Sequence, residues 1–314
     1  MLTYRTAGES HGQALIALVE GLPSNLQVDF EFIDNELKRR QGGYGRGGRM
    51  KIEKDRVRIL SGVRHGKTLG SPIAMMVENR DWPNWEEIMS VQAASPEAAQ
   101  KRTVTRPRPG HTDLAGSLKF NQVDARNILE RSSARETTAR VAAGALAKTF
   151  LKCFGIEVLS HTTAIGTVKV PEEFVVTWDQ LESLQSDEVV HCAIPEVSAR
   201  MVQEIEKAQK EGDTIGGTFE VIARGVPTGL GSHTAWDTRL DGQLAQAVMS
   251  INAVKAVEVG IGVQGAFRKG SDVHDEIVYD ADALAFRRLT NRAGGLEGGI
   301  TNGEDVRITG YLKP

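Results

Sequence analysis

Aromatic residues, cysteines and long apolar runs are scarce in this sequence, and each shortage excludes a class of protein. Phe, Trp and Tyr make up 5% of the 314 residues, which disfavours a binding surface of stacked aromatic side chains. No apolar run approaches the ~18 residues of a membrane span, and the first residues lack the basic-then-apolar pattern of a secretion signal. We therefore predict a cytoplasmic protein without a membrane partner.

The two cysteines and the charge balance exclude further classes of protein. Cys153 and Cys192 lie in apolar stretches without metal-ligand spacing, which fits a reducing compartment and predicts no metal site. The formal net charge is −3, so no overall positive field points to a nucleic-acid partner. The chain is long enough to bury a large core, in one big domain or in two smaller ones.

Four short segments carry the unusual chemistry of the chain, because each places Arg or His beside Gly, Pro or Ser. They are Gly8–Gly12, Arg39–Arg49, Arg106–Asp113 and Arg131–Thr137. Gly, Pro and Ser bend the backbone and leave polar side chains free. Arginine matches the oxygens of phosphate and carboxylate groups, and histidine titrates nearest to neutral pH. Together these segments predict a pocket for polyanionic small molecules with proton chemistry inside it.

Hydrophobic periodicity predicts helices and strands that alternate irregularly. Strands are predicted at Gln13–Glu20, Val57–Val63, Pro72–Glu78, Thr218–Arg224, Ala256–Ile261 and Glu304–Leu312. Helices are predicted from Asp29 to Arg40 and at Ser133–Phe154, Ser198–Glu211 and Leu240–Lys255. This order lacks the βαβα rhythm of a doubly wound sheet, so we predict an α+β protein with antiparallel sheets and central helices.

The run from Arg39 to Arg49 (RRQGGYGRGGR) admits three interpretations. A charge run of this kind is most often a solvated, flexible loop. Its Arg-Gly-Gly-Arg portion resembles an RGG-type nucleic-acid segment, although the run is short, holds one aromatic residue and belongs to an acidic chain. The third interpretation is an ordered phosphate site, in which arginine side chains and loop N–H groups converge on an anion.

The other segments are each ambiguous when taken alone. Arg131–Arg135 is predicted to open the long helix, and helix N-termini bind phosphate well, although serine caps are also common in ordinary helices. His11 and His111 each lie in a turn, where a lone histidine is most often exposed or structural. The stretch Gly294–Gly303 would let the backbone approach a flat ligand, but glycine runs also mark ordinary loops.

Taken together and in this order, the segments resemble the chorismate synthase family. GESHGQALIALVEGLP resembles the N-terminal signature of that family, and RSSARETTARVAAGA resembles its second signature. Four further segments match the family in order and approximate spacing, namely RRQ-GYGRG-RM, RPGH-D, INAVKAVEVG and GG-EGGI-NG. The resemblance runs from Tyr4 to Pro314. It implies a single chorismate synthase-like domain over residues 1–314, with a sandwich of antiparallel sheets around central helices, assembled as a homotetramer.

The resemblance also implies a lyase. The family converts 5-enolpyruvylshikimate 3-phosphate (EPSP) into chorismate and phosphate by a 1,4-anti elimination in the shikimate pathway, and it requires reduced FMN without net redox change. EPSP brings a phosphate and two carboxylates and FMN brings a second phosphate, so a dry pocket needs many fixed cations. The reducing equivalents would come from NADPH or from an external flavin reductase.

Carried over motif by motif, the resemblance assigns roles to individual residues. His111 would protonate the departing phosphate, and His11 would protonate or hold the reduced flavin. The substrate phosphate and carboxylates would be held by Arg40, Arg46, Arg49, Arg108 and Arg135. FMN would be contacted by Arg131, Ser132, Ser133, Asn252, Ala253, Gly298 and Lys313.

The family pattern continues past Lys313-Pro314 into a Ser-Thr segment and an Arg-Ser-Asp signature, whose Asp helps the flavin accept a proton. We therefore expect the sequence to be part of a longer protein. The same gap keeps a second hypothesis open, a flavin- or phosphate-binding protein without turnover. The third hypothesis is an RGG-type nucleic-acid binder, which a steep salt dependence of RNA binding would reveal.

Overall fold

The structure, a computed structural model, describes residues 2–45, 53–93, 95–187 and 189–314. It divides into two units with their own internal contacts. The first unit comprises Met1–Gly42 and Arg46–Phe150, and the second comprises Gly43–Gly45 and Leu151–Pro314. The predicted single domain over residues 1–314 remains a prediction.

The first unit is built on antiparallel strands. They are β1 (Thr3–Ala7), β2 (Ala14–Glu20), β3 (Ser24–Gln27), β4 (Arg58–Ile59), β5 (Val63–Arg64), β6 (Lys67–Leu69) and β7 (Ile73–Glu78). Strands β1, β2, β7 and β4 pair in that order in one sheet, and β3, β6 and β5 form another. The predicted strand Val57–Val63 is divided into β4 and β5, because Gly62 turns the chain with a φ of 78°.

The helices of the first unit are α1 (Phe30–Gln41), α2 (Pro96–Gln100), α3 (Asp113–Phe120), α4 (Arg126–Ser132) and α5 (Thr137–Lys152). Helix α1 begins and ends as predicted. The Asp29 side chain accepts a hydrogen bond from the Phe32 N–H at 2.9 Å, and Gly42 follows the last turn.

The start predicted for the long helix was wrong. Arg131 and Ser132 do not open that helix but end the preceding one, α4. The backbone becomes extended at Ser133, whose Oγ accepts the Arg135 N–H and caps a 3-10 turn that leads into α5. The sequence holds no clear local signal for α4, so the serine pair resembles the first helix start in this region.

The core of the first unit packs one face of the β2–β7 pair against α1 and α5. Alternate residues of each strand are buried, which explains why the sequence pattern identified both strands. Helix α5 contributes small side chains, which permit close approach of its backbone to the sheet. The core residues include Leu15, Ala17, Val19, Ile33, Leu37, Ile73, Met75, Ala139, Ala142 and Leu146.

The second unit has its own antiparallel sheet. Its elements are β8 (Glu157–Ile165), β9 (Val168–Lys169), α6 (Trp178–Ser183), α7 (Pro195–Glu211), β10 (Gly217–Arg224), α8 (Leu240–Met249), β11 (Val254–Val259), α9 (Gly262–Gly265), α10 (Gly270–Val273), β12 (Ile277–Asp280), β13 (Ala285–Arg288), β14 (Leu296–Glu297), β15 (Ile300–Thr301) and β16 (Val306–Leu312). The five-stranded sheet has the order β11-β16-β10-β8-β9, and β12–β13 and β14–β15 are separate hairpins.

Helix α8 ends at Met249, six residues before the predicted end at Lys255. Ala253 adopts a left-handed backbone (φ 71°), and Lys255 belongs to β11, whose alternating sequence pairs with β16. One face of this sheet packs against α8 through Val306, Ile308 and Leu244. The predicted α+β class with antiparallel sheets is confirmed in both units. Within the described residues, every helix is too short or too polar to cross a bilayer.

Candidate active site

His11 lies between β1 and β2 and is held by a buried carboxylate of α4. Its Nδ1 lies 2.9 and 3.0 Å from the two carboxylate oxygens of Glu130, a side chain that is 1% exposed. The His11 N–H donates to the same carboxylate at 2.9 Å, and the Ser10 N–H donates to the Glu130 carbonyl oxygen at 3.0 Å. Because a carboxylate only accepts hydrogen bonds, Nδ1 carries a proton, and Nε2 is the nitrogen left for other chemistry.

Glu130 also accepts a hydrogen bond from Arg126, one turn earlier on α4. The Arg126 Nη1 lies 2.8 Å from Glu130 Oε1. Burial raises the pKa of Glu130, but the hydrogen bonds from His11 and Arg126 lower it by more, so the pKa falls below its ordinary value. Glu130 is therefore an anion at neutral pH.

Trp85 fixes the plane of the His11 ring. The two rings are stacked, with centroids 3.8 Å apart and an interplanar angle of 28°. The Trp85 Nε1 donates to Asp81 at 2.9 Å, and the guanidinium carbons of Arg102 and Arg126 lie 4.0 and 5.1 Å from the Trp85 ring centroid. These contacts hold Trp85 in place and, through it, the imidazole.

Arg135, a predicted substrate residue, is buried in a network of acids and an amide. Its Nη1 donates to Asp55 Oδ2 at 2.7 Å, and its Nε donates to Asn79 Oδ1 at 3.0 Å. Its Nη2 lies 3.5 Å from a carboxylate oxygen of Glu53. The guanidinium is 5% exposed, so its orientation is fixed, and its contact with substrate remains a prediction.

Arg40, at the end of α1, converges on the same place. Its Nε donates to Thr137 Oγ1 at 2.9 Å, and its Nη1 lies 3.7 Å from the Asp55 oxygen that Arg135 also contacts. Asn79 connects this cluster to the His11 turn, because its Nδ2 donates to the Gly12 carbonyl oxygen at 2.7 Å. The structure thus joins three of the predicted site segments, those of His11, Arg40 and Arg135, in one network of hydrogen bonds and ion pairs.

Arg131 is engaged with the end of β1. Its Nη2 donates to the Thr6 carbonyl oxygen and to Thr6 Oγ1, both at 2.7 Å, and its Nη1 donates to the Gly8 carbonyl oxygen at 3.2 Å. The side chain is 40% exposed. Arg131, Ser132 and Ser133 lie together where α4 passes into the following 3-10 turn, and their contact with FMN remains a prediction.

Arg108 and His111 stand at the start of α3. The buried Asp113 accepts hydrogen bonds from the Arg108 N–H at 3.0 Å, from Nε at 2.8 Å and from Nη2 at 3.1 Å. This pairing lowers the pKa of Asp113. The exposed His111 ring donates from Nδ1 to the Pro109 carbonyl oxygen at 3.0 Å. As in His11, Nδ1 donates to an oxygen acceptor, so Nε2 is the ring nitrogen left for proton transfer.

Of the arginine run after Arg40, the structure describes residues 41–45. Tyr44 is part of the second unit, where its N–H donates to the Val189 carbonyl oxygen at 2.7 Å and its hydroxyl donates to Glu206 at 2.7 Å. Arg46 and Arg49, two predicted substrate residues, lie outside the described residues.

In the second unit, antiparallel pairing brings together the chain segments that carry three of the predicted FMN residues. Asn252 and Ala253 precede β11, and Lys313 follows β16, its strand partner. The Lys313 N–H donates to the Ala253 carbonyl oxygen at 3.0 Å. Gly298 lies instead in the β14–β15 hairpin, where it and Gly299 have φ values of 59° and 85°, as a two-residue type I′ turn requires.

Sequence reasoning missed the residues that hold this site, namely Glu130, Trp85, Asn79 and Asp55. Glu130 directly precedes the Arg131-Ser132 signature, and this adjacency was the available signal. The other three stand in stretches with no pattern that distinguishes them. Among the described residues, no group of three or more His, Cys, Asp or Glu side chains is arranged to hold a metal ion.

The chain is similar along its length to known chorismate synthases. The family model described as chorismate synthase matches residues 2–314. The chorismate synthase of Solibacter usitatus (strain Ellin6076) is 54% identical over 316 residues, which cover 100% of this chain and 80% of that protein. The one from Moorella thermoacetica is 56% identical over 315 residues, with the same coverage. A solved structure described as "Crystal Structure of Chorismate Synthase" has a TM-score of 0.83 and 43% identity, covering 100% of this chain and 85% of that chain.

Proposed function

The chain belongs to the chorismate synthase family and is a lyase that converts EPSP into chorismate and phosphate, and we propose that His111 and His11 carry its protons. The supporting observation is that both rings are arranged alike. Nδ1 of His11 bonds to Glu130 at 2.9 Å, and Nδ1 of His111 bonds to the Pro109 carbonyl oxygen at 3.0 Å. Each ring is thereby oriented with Nε2 left to hold or transfer a proton.

His111 is proposed as the general acid for the departing phosphate. In its protonated form, Nε2 donates a proton to a phosphate oxygen as the carbon–oxygen bond breaks. A positioned acid of this kind contributes typically ~10²–10⁴ in rate. Arg108, which is bound to Asp113 and is 49% exposed, would contact the same anion, because part of its guanidinium faces solvent.

His11 is proposed as the proton carrier on the flavin side. Reduced FMN, when bound, supplies the electron density that helps the allylic phosphate leave. In the first unit, the proposed contact Arg131 brings positive charge that suits the FMN phosphate. In the second unit, the proposed contact Lys313 also carries positive charge, and a Cβ added at Gly298 would have no heavy atom within 4 Å. That open space suits the approach of a flat ring system. The remaining proposed contacts are Ser132, Ser133, Asn252 and Ala253.

Arg40 and Arg135 are proposed to hold substrate phosphate or carboxylate together with Arg46 and Arg49. Asp55 pairs with both described arginines, and Glu53 pairs with Arg135. Hydrogen bonds to Thr137 and to the Ala134 carbonyl oxygen orient the guanidinium of Arg40. Preorganised cations need no rearrangement when an anion arrives, which is the condition for strong electrostatic stabilisation. Arg40 is 12% exposed and Arg135 is 5% exposed, so Arg40 is the more accessible to substrate.

The physiological setting is proposed from the family. The enzyme would act in the cytoplasm as a homotetramer. NADPH, used directly or through an external flavin reductase, would supply the reducing equivalents for FMN.

The test supplies EPSP and chemically reduced FMN under anaerobic conditions and follows chorismate absorbance. His111→Ala should lower turnover by ~10²-fold or more while flavin affinity is retained. The matched control is His233→Ala, which removes an exposed histidine of the second unit and should leave turnover unchanged. Loss of flavin affinity in His111→Ala would contradict the assigned role. Flavin fluorescence quenching without chorismate formation by the parent would instead favour the binding-protein hypothesis.

A further inference from the structure

We propose that Glu130 is a positioning residue for the lyase, which fixes the orientation of the His11 ring and sets its tautomer, and that Arg126 holds the Glu130 carboxylate in place for this role. The inference rests on the proposed role of His11 as a proton carrier. Glu130 lies in α4, outside the residues that the family resemblance assigned to the site.

The contacts of Glu130 fix both the backbone and the ring of His11. The carboxylate accepts the His11 N–H at 2.9 Å and Nδ1 at 2.9 and 3.0 Å. The Glu130 carbonyl oxygen accepts the Ser10 N–H at 3.0 Å. One buried residue therefore positions two consecutive residues of the turn, which is more than an isolated ion pair would do.

A second contact holds the plane of the ring, and a flip of the ring within that plane would break the bond between Nδ1 and Glu130. Trp85 stacks on the imidazole at a centroid distance of 3.8 Å, and Asp81 holds the indole N–H at 2.9 Å. Since Glu130 accepts at Nδ1, the neutral ring carries its proton at Nδ1, and a second proton is gained or lost at Nε2. The reacting nitrogen is thereby specified in advance.

The charges around the ring oppose one another. The negative carboxylate of Glu130 faces Nδ1, and the positive Arg126 lies behind it, with Nη1 2.8 Å from Glu130 Oε1. Arg102 lies 4.0 Å from the Trp85 ring centroid and adds positive charge, and Asp81 adds negative charge at the indole N–H. Glu9, in the same turn as His11, adds a further acid beside Gly12, where its Oε2 lies 3.1 Å from a Cβ built on that glycine.

The experiment compares two variants by steady-state kinetics with reduced FMN in excess. Glu130→Gln replaces a carboxylate, which only accepts hydrogen bonds, by an amide that can also donate, so the His11 ring need no longer carry its proton at Nδ1. Turnover should fall about tenfold while flavin affinity is retained. Arg126→Met leaves the carboxylate in place and should lower turnover less. A general loss of structure would lower flavin affinity as well.

A second readout does not depend on catalysis. Nitrogen-15 NMR of the histidine rings at high pH should show the Nδ1–H tautomer for His11 in the parent and a mixture of tautomers in Glu130→Gln. The matched control is Glu36→Gln, which also removes a buried glutamate paired with an arginine of its own helix, and it should leave the His11 signals unchanged.

The outcomes separate this inference from the proposed function. An unchanged His11 tautomer and an unchanged turnover in Glu130→Gln would overturn the inference, even if His11→Ala is inactive and the proton-carrier role stands. Full activity of His11→Ala would refute that role, and the NMR comparison would still decide whether Glu130 sets the tautomer. Urea unfolding at neutral pH shows whether each variant is folded before the activities and spectra are compared.

Discussion

Arg135 and Asp55 form a buried ion pair in the predicted site: the Arg135 Nη1 lies 2.7 Å from Asp55 Oδ2, and the two side chains are 5% and 0% exposed. The same oxygen lies 3.7 Å from Arg40 Nη1. One carboxylate therefore keeps two guanidinium groups close together, although like charges repel. Removing it would leave two buried cations with reduced compensation.

Asp55→Asn should therefore lower the free energy of unfolding by about 3 kcal/mol, because the partner of a buried charge is lost while the charge stays. Urea unfolding at neutral pH measures the change. Asp29→Asn is the matched control, because asparagine caps a helix about as well as aspartate. This variant should have the same free energy of unfolding as the parent. Equal stability of the parent and Asp55→Asn would show that Glu53 alone can hold the two arginines.

Arg108→Lys should raise the KM for EPSP about tenfold with a smaller effect on kcat, because lysine keeps the charge but loses the planar fork. In the structure that fork makes two hydrogen bonds to Asp113, at 2.8 and 3.1 Å, which orient the group at the start of α3. Steady-state kinetics with reduced FMN in excess measure both constants. Arg64→Lys changes an exposed arginine of β5 and should leave them unchanged. An unaltered KM in Arg108→Lys would remove Arg108 from the substrate site.

The β14–β15 hairpin offers a comparison between two adjacent glycines. Gly298 and Gly299 both have positive φ, so alanine at either position carries a strain of roughly 1–2 kcal/mol. A Cβ at Gly298 meets open space, whereas one at Gly299 would lie 2.8 Å from Cβ and Cγ of Arg239. Gly299→Ala should therefore unfold at a lower urea concentration than Gly298→Ala. Equal midpoints would mean that Arg239 moves aside without cost.

The sequence predicted the elements whose signals are local. Alternating burial identifies β2, and an aspartate cap followed by a terminal glycine identifies α1, because these signals lie within the element itself. Helix α4 escaped detection, because its Ser132-Ser133 end has the character of a cap and was read as the beginning of a helix.

Sequence patterns predicted the segments of the site but not the contacts between them. Arg and His beside Gly and Pro indicate which segments carry the chemistry, but they do not indicate which side chains hold those segments in place. Glu130 and His11 are 119 residues apart in the chain, and their pairing depends on how α4 packs against the β1–β2 turn. A single sequence carries no local pattern for such a contact, and the same is true of Asp55 with Arg135.

The acid stability of the second unit should depend on Glu220. Burial raises its pKa, but hydrogen bonds from His161 and Arg307 lower it by more, so the folded pKa lies below the ordinary value of 4.5. A carboxylate with a depressed pKa stabilises the fold above its unfolded pKa, and this contribution is lost as the pH falls through the folded pKa. The loss should therefore occur below about pH 4.5.

Glu220→Gln should be less stable than the parent by about 2 kcal/mol at pH 7, and the difference should shrink as the pH is lowered below 4.5. Urea unfolding at pH 7 and at successively lower pH measures it. Glu157→Gln is the control, because its pair with Arg224 is exposed on the same sheet and such pairs contribute at most about 1 kcal/mol. A stability difference that stays constant with pH would show that Glu220 acts through packing rather than through its charge.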